Sequence, residues 1–370
     1  MESKRIRFVF KTACLVVSAA IMAVSSLGTA GAQVFSDLDK ALVDYSKSDL
    51  TPDKACKELA GFRSNEIASI EAVMIPATDT VQDYCRVSGL LSPEIAFEIS
   101  LPDKWNGRFY MIGNGGHAGE AMDDPTRVSQ IQAALNVGFA VAQTNTGHDS
   151  RREPGASFVL SNPQKAIDYA YRAVHLTAAT GKSITKDYYG KPVSYSYWNS
   201  CSNGGRQGLI EAQRFPEDFD GIVANAPWLD QTGFTIGAMW NQKALFEAPV
   251  TAEKMVLVAE KVMERCDRVD GLKDGLIDDP RRCDFDPVRD VPLCSSGTDG
   301  SDCLTREQAE AVAKVYQGPV SNGKPVFPGY EPGSESVMPL FGGGTGSGWM
   351  GFGAGANGLF VDIREGKLIW

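Results

Sequence analysis

Apolar and polar residues alternate along Ile95-Ala-Phe-Glu-Ile-Ser-Leu101, the pattern of a half-buried strand, and residues 67–101 alternate elsewhere too. Before this stretch, residues 35–66 are polar and helix-capable around Cys56. After it, Pro102, Asn106 and Gly107 make a turn, and Arg108–Ile112 is a short strand candidate. That strand runs into Gly113-Asn114-Gly115-Gly116-His117, a loop by its glycine content. A helix is expected from about Arg127 to Asn136, then a buried strand from Gly138 to Gln143 that ends in the loop Thr144-Asn-Thr-Gly-His148-Asp149. Pro163–Thr180 reads as an amphipathic helix with Ala166, Ile167, Ala170, Val174 and Ala178 on or near one face, stopped by Gly181. Ser194–Asn199 is a strand, Asn203–Arg214 a helix and Phe219–Ala224 another strand.

Strand, loop and helix thus recur over residues 108–226, which predicts an α/β layering with a largely parallel sheet. Glycine loops at the carboxyl ends of strands are where such sheets place their sites. Beyond Trp228 the texture changes. Thr251–Arg265 and Thr305–Tyr316 read as helices, with a cysteine- and aspartate-rich block between them. Pro and Gly turns follow Pro319, and residues 342–358 hold nine glycines, which argues against a packed helix or sheet there. The expected organisation is residues 1–32 as a leader, 33–228 as an α/β domain, and 229–370 as an inserted lid without a closing element.

The leader is read from Lys4, Arg5, Arg7 and Lys11 ahead of an apolar run, Ala13–Val24, and a small-residue cleavage site at Ala30-Gly31-Ala32. No later stretch is long and apolar enough to span a bilayer. The chain is therefore expected in a secreted or periplasmic setting, with no membrane association after cleavage. Removing the leader takes four of the 36 basic and one of the 46 acidic residues, leaving 32 against 45, a net charge of −13. Such a chain repels nucleic acid, so no nucleic-acid partner is expected. Of eight cysteines, Cys14 leaves with the leader, and the other seven cannot all pair within the chain. Cys56 with Cys85, Cys266 with Cys283 and Cys294 with Cys303 are plausible local pairs, although spacing alone does not fix connectivity. Cys201 is the expected odd one.

Cys201 precedes the residue on which the reading turns. Ser202 stands between a strand and a helix, in Ser200-Cys201-Ser202-Asn203-Gly204. This is the G-x-S-x-G pattern of a nucleophile elbow with serine in place of the first glycine. The N–H of Asn203 and one from the Asn114-Gly115-Gly116 loop could hold an oxyanion together. A serine nucleophile needs a base, and the three histidines, His117, His148 and His175, all precede Ser202. In the α/β-hydrolase order the acid and histidine follow the serine. His175 lies within a helix and reads as a structural residue, while His117 and His148 sit in loops that could approach the site. A second candidate site lies in Cys266-Asp-Arg-Val-Asp270-Gly-Leu-Lys-Asp274-Gly-Leu-Ile-Asp278-Asp-Pro-Arg-Arg-Cys283. Asp267, Asp270 and Asp274 with the carbonyls of Leu272 and Leu276 offer hard oxygen ligands suited to calcium, on a spacing that is not an EF-hand's. The alternative is a solvated acidic turn.

Taken in order, NGGHAG (114–119), TNTGHD (144–149), IDYAYRAVH (167–175), YYG (188–190), CSNGGRQGLIEAQRFPEDFDGIVANAP (201–227) and CDRVDGLKDGLIDDPRRC (266–283) resemble the tannase and feruloyl esterase family, which includes the mono(hydroxyethyl) terephthalate hydrolases. The resemblance runs from about Cys56 to at least Cys303. It implies an α/β-hydrolase fold with an inserted lid, Ser202 as nucleophile, and oxyanion donors at Asn203 and the NGG loop, Gly116 before Gly115. It also implies structural Ca2+ at Asp267, Asp270, Leu272, Asp274 and Leu276, and a small-molecule aromatic ester as substrate. The family ties the cysteine before its nucleophile to one after its catalytic histidine. Cys201 has no such match, nor do the family's late aspartate and histidine, so the resemblance implies that the C-terminal part of the hydrolase domain is missing. The expected activity is carboxylic ester hydrolysis, with little turnover from these residues alone. The alternative is an inactive homologue that binds aromatic or polyphenolic ligands.

Overall fold

The computed structural model describes residues 49–335 and the backbone of 362–364 and 367–369. The expected leader (1–32) and the glycine-rich stretch (342–358) lie outside the described residues.

A seven-stranded sheet organises the described chain. Its strands are β1 (Ile67–Ile75), β2 (Tyr84–Leu91), β3 (Ile95–Pro102), β4 (Arg108–Ile112), β5 (Ala140–Thr144), β6 (Tyr195–Cys201) and β7 (Gly221–Asn225). They lie in the order β1-β2-β3-β5-β4-β6-β7. β1, β2, β3 and β5 pair antiparallel, whereas β5, β4, β6 and β7 run parallel. The parallel part is the α/β-hydrolase arrangement, and the alternation read at 95–101 is β3.

Period-two alternation gives the parallel strands two buried faces. Phe109, Met111, Ala140, Ala142 and Trp198 point into one core, and Ile112 and Val141 into the other. Helix α1 (Pro125–Asn136), capped by the Asp124 carboxylate on the Thr126 and Arg127 amides, covers the second face through Ile131 and Leu135. Between β5 and β6 come α2 (Phe158–Ser161), α3 (Pro163–Ile167), one π turn (Asp168–Arg172) and α4 (Ala173–Tyr189). α4 packs Val174, Ala178, Ile184, Tyr188 and Tyr189 onto the first face. Helix α5 (Asn203–Arg214) follows β6 as expected.

Gly181 does not stop the long helix. α4 runs through it to Tyr189 and ends at Gly190, which takes the left-handed φ of 64° that closes a helix. At Gly181 the helix lies so close to the sheet that a Cβ would sit 2.8 Å from Phe109 Cζ and 2.9 Å from Ile99 Cδ1. The glycine permits an approach rather than a termination. The expected strands also shift. β6 extends to Cys201 because Ser200 and Cys201 still pair with Ala224 and Asn225. β7 begins at Gly221 because Phe219 is drawn edge-on against Trp198, with ring centroids 5.6 Å apart. Within 49–66 the helical content is one 3-10 helix, Cys56–Gly61.

Past the sheet, α6 (Gln231–Glu247), α7 (Ala252–Cys266), α8 (Pro287–Asp290) and α9 (Arg306–Gln317) gather a separate core. Ala244 and Leu245 meet Met255, Val258 and Val262 of α7 and Val312 and Val315 of α9 there. Thr251 and Thr305 cap α7 and α9, the latter in a capping box with Gln308, so both helices start where expected. α6 was not expected. Small hairpins occur at β8–β9 (Val320–Ser321, Lys324–Pro325) and β10–β11 (Asp362–Arg364, Lys367–Ile369). Disulfides join Cys56–Cys85, Cys266–Cys283 and Cys294–Cys303 and leave Cys201 free and exposed, matching the local pairs.

The Gly181 contact sets two effects against each other. Alanine raises helix propensity by about 1 kcal/mol, while overpacking at Phe109 and Ile99 costs about 1–3 kcal/mol. Gly181→Ala should therefore lower stability in urea unfolding. A net gain would show that α4 does not press on the sheet.

Candidate active site

β6 delivers Ser202 to the carboxyl edge of the sheet, and α5 leaves from it. The serine stands at φ 59°, ψ −122°, a backbone conformation that L-residues rarely adopt. Three backbone bonds hold it there. Ser202 N–H donates to Asn225 O at 3.1 Å, and Ser202 O accepts from Trp228 N–H at 2.9 Å and Arg206 N–H at 3.1 Å. The following N–H, that of Asn203, is at the first position of α5 and has no acceptor within the helix.

The helix lies unusually close behind this turn. A Cβ on Gly208 would stand 2.7 Å from the Trp198 indole. Ser200, which replaces the usual first glycine of the motif, points into space left by two other glycines. A Cβ on Gly204 would meet Ser200 Cβ at 2.5 Å, and one on Gly113 would meet it at 2.6 Å. The motif has exchanged where its volume sits, and the elbow keeps its shape.

The NGG loop is fixed from below. Arg127 is buried, donates to Gln143 Oε1 at 2.8 Å and Gly113 O at 3.1 Å, and pairs with Glu120. Glu120 accepts from Asn114 Nδ2 at 2.9 Å and from Gly115 N–H at 2.8 Å. The N–H of Gly115, one of the two expected oxyanion candidates in this loop, is thereby engaged by Glu120 within the loop. Gly116, the other candidate, stands at φ 47°. Asn203 is wholly buried, and its Oδ1 accepts from Arg206 Nε at 2.7 Å. The Tyr169 hydroxyl lies 3.0 Å from that Oδ1 and 3.1 Å from Gly116 O, and accepts from Gln231 Nε2 at 2.9 Å. Tyr169 thus bridges both oxyanion-side residues. Arg206 also donates to the Tyr169 and Ala170 carbonyls at 3.2 and 3.0 Å, tying α5 to the π turn. Sequence reasoning missed Tyr169, Arg206 and Gln231. The Tyr–Arg pairing comes from the π turn, which no residue pattern announced.

Each histidine is engaged elsewhere. His148 is 2% exposed, stacks on Phe158 at 3.9 Å, and has neither ring nitrogen hydrogen-bonded by its side-chain surroundings. Burial depresses its pKa to about 4. His175 Nδ1 is 2.6 Å from Asp218 Oδ2, and its ring stacks on Phe215. His117 meets Trp228 edge-on at 5.2 Å, and burial lowers its pKa to about 4 as well. It lines a cavity of about 490 Å³ with Phe158, Tyr169, Gln231, Thr235 and Met239. Trp228, which His117 meets, is the residue whose N–H donates to Ser202 O, and Tyr169, which lines the cavity, hydrogen-bonds with Asn203.

This geometry matches known proteins. The family described as tannase and feruloyl esterase covers residues 79–359. The chain belongs to the tannase and feruloyl esterase family. It is 35% identical over 299 residues to an uncharacterized esterase of Xanthomonas campestris pv. campestris, covering 75% of this chain and 50% of that one. It is 34% identical over 282 residues to feruloyl esterase B of Aspergillus niger, covering 73% and 51%. The solved structure of feruloyl esterase B from Aspergillus oryzae superposes with a TM-score of 0.62 at 28% identity, over 83% of this chain and 66% of that one. The chain spans about half the length of the curated relatives it matches.

The acidic loop of this family member folds on itself. Asp267, 6% exposed, accepts through Oδ1 from the Asp274 and Gly275 amides at 3.1 and 3.0 Å. Asp270 accepts from Leu272 N–H at 2.8 Å and Asp274 from Leu276 N–H at 3.1 Å. Gly271 and Gly275, at φ 101° and 82°, turn the chain after each aspartate. The set consists of oxygen donors and suits a hard cation, with one oxygen of each carboxylate committed to the loop and the other outside those bonds.

The elbow contact gives a sharp test. Gly204→Ala should destabilise by about 1–3 kcal/mol through its clash with Ser200. Adding Ser200→Gly should recover most of the loss, read as the coupling energy in a double-mutant cycle. Additive effects would mean that the two residues do not share this space.

Proposed function

We propose that Ser202 is the nucleophile of a secreted carboxylic ester hydrolase acting on esters of aromatic acids such as gallate or ferulate. The observation that carries this is the left-handed backbone of Ser202 at a strand–helix turn, a strained geometry kept where a side chain must stand clear of the sheet. Ser202 Oγ attacks the ester carbonyl carbon. The oxyanion is received by the N–H groups of Asn203 and Gly116, the alcohol leaves, and water releases the aromatic acid. The partly apolar cavity beside His117 and Tyr169 would take the aromatic acyl group. Three disulfides are in keeping with folding in an oxidising compartment, and no helix among the described residues is long and apolar enough to cross a membrane.

A general base works best with a pKa near the operating pH. His117 and His148 are held at about 4, and His175 is turned to Asp218. These 370 residues should therefore react at Ser202 yet turn over slowly. A fluorophosphonate probe should label Ser202, and methyl ferulate, methyl gallate and p-nitrophenyl acetate should be hydrolysed at trace rates. No labelling, or a full-length form unaffected by Ser202→Ala, would remove the nucleophile. Robust Ser202-dependent turnover would instead make His117 the base. Ferulate binding with no labelling would favour a ligand-binding homologue that keeps the cavity alone.

We also propose that Asp267, Asp270 and Asp274, with the Leu272 and Leu276 carbonyls, hold a structural calcium ion that neutralises the buried Asp267. The ion would stiffen the loop between Cys266 and Cys283, remote from the ester chemistry. A calcium-selective chelator should lower the melting temperature, and restored calcium should reverse this. Unchanged melting in excess chelator would remove the ion from the account.

A further inference from the structure

A second group of ionisable side chains lies behind α5, away from the elbow. His175 on α4, Glu211 on α5 and Asp218, in the loop leading to β7, bring one imidazole nitrogen and two carboxylate oxygens within 4.8 Å of one another. The ester mechanism uses none of them. Glu211 is 1% exposed, and the side chain its carboxyl group meets is the equally acidic Asp218, with no lysine, arginine or amide donor hydrogen-bonded to either oxygen. Two buried carboxyl groups in contact are expensive to ionise together without a matching positive charge. Asp218 is also buried, whereas His175 is partly open to solvent and gives a path in.

Charge narrows what could complete the cluster. Lys182, two turns along α4 from His175, donates to the Asp218 carbonyl at 2.8 Å and stands 3.6 Å from Asp218 Oδ1. One ammonium faces two carboxyl groups, and the shortfall falls on Glu211, the more deeply enclosed of the two. The ring of Phe215 stacked on His175 at 3.9 Å fixes the direction of the imidazole.

We propose that His175, Glu211 and Asp218 form a binding site for a divalent transition cation of the Zn2+ type. One imidazole with two carboxylates is a three-ligand set that leaves a fourth, water-filled position. Ligands about 2.0–2.1 Å from a tetrahedral ion lie roughly 3.3 Å apart. Nδ1 of His175 and Oδ2 of Asp218, now 2.6 Å apart, open slightly to admit the ion. The cation would give the Glu211–Asp218 pair its missing positive charge and pin α4 to α5. It is distinct from the calcium proposed for the acidic loop, which offers oxygen donors alone.

The test uses the purified chain with excess calcium, so that the acidic loop is saturated, and Co2+ as a spectroscopic stand-in for Zn2+. One equivalent of Co2+ should bind with visible bands of a four- or five-coordinate ion, be displaced by Zn2+, and show no thiolate charge-transfer band. Glu211→Gln and His175→Asn should weaken binding by at least about 10- to 100-fold, and Asp270→Asn should not. The wild-type protein supplies a check that needs no variant. Its three histidines should include one whose imidazole N–H resonance is shifted by bound Co2+. No binding, a thiolate band that places the ion at Cys201, or affinity indifferent to both site variants would overturn the site. None of these outcomes depends on ester hydrolysis, so the nucleophile assignment stands or falls separately.

Discussion

The backbone of Ser202 is the constraint from which the rest of the molecule follows. A serine at φ 59° costs on the order of 1–3 kcal/mol and persists only where its surroundings over-determine it. Here its N–H is taken by β7 through Asn225, and its carbonyl by Trp228 and Arg206. Both sides of the turn must be right at once. β7 must be in register with β6 to present Asn225, and the chain beyond it must turn back at Pro227 to present Trp228. Gly205 makes that return possible, since a Cβ there would meet Asn225 O at 2.5 Å. The elbow is a product of the parallel sheet and cannot be formed by the motif alone.

A second layer of bonds transmits this order to the NGG loop. Tyr169 touches both Gly116 and Asn203, and Arg206 grips the carbonyls that the π turn presents. A regular α-helix through Asp168–Arg172 would spend those carbonyls on its own ladder. In the π turn the Tyr169 and Ala170 carbonyls accept from the Arg206 guanidinium on α5. The price in helix geometry is met by a charge-assisted bond network at the site. Glu120 and Arg127 brace the NGG loop from below, so that loop is held on one side by this ion pair and on the other by Tyr169, which ties it to Asn203 at the start of α5.

Much of this was legible in the chain. The helix Asn203–Arg214 has the limits its pattern indicated, because Ser202 breaks the backbone at one end and α5 runs as a clean amphipathic helix to the other. The three disulfides are the plausible local pairs, at separations of 29, 17 and 9 residues, although their spacing alone did not fix the connectivity. Other features were closed to pattern reading for physical reasons. Gly181 looks like a stop because glycine weakens helices, yet contact with Phe109 decides its role. α6 has apolar residues around much of its circumference and no clear polar face, so periodicity could not mark it. Glu120 captures the Gly115 N–H from five residues away, and nothing in Asn-Gly-Gly distinguishes the two glycines before that carboxylate is placed.

The fate of the histidines brings these strands together. A histidine can serve as a base only if its ring is held toward the nucleophile and its neutral form takes a proton near neutral pH. In this chain ring stacking decides the matter against two of the three. Phe158 clasps His148 and Phe215 clasps His175, each at a centroid separation of 3.9 Å. Stacking at that distance fixes the ring plane, and burial then sets His148 well below neutrality. His117 alone borders the cavity and the Trp228 that anchors Ser202, but its burial keeps it neutral and weakly basic. The fold thus holds Ser202 at its strained turn and braces the loop beside it, while its imidazoles are engaged in packing. What places the rings is therefore stacking and burial, two packing forces that act on an imidazole whatever chemistry lies nearby.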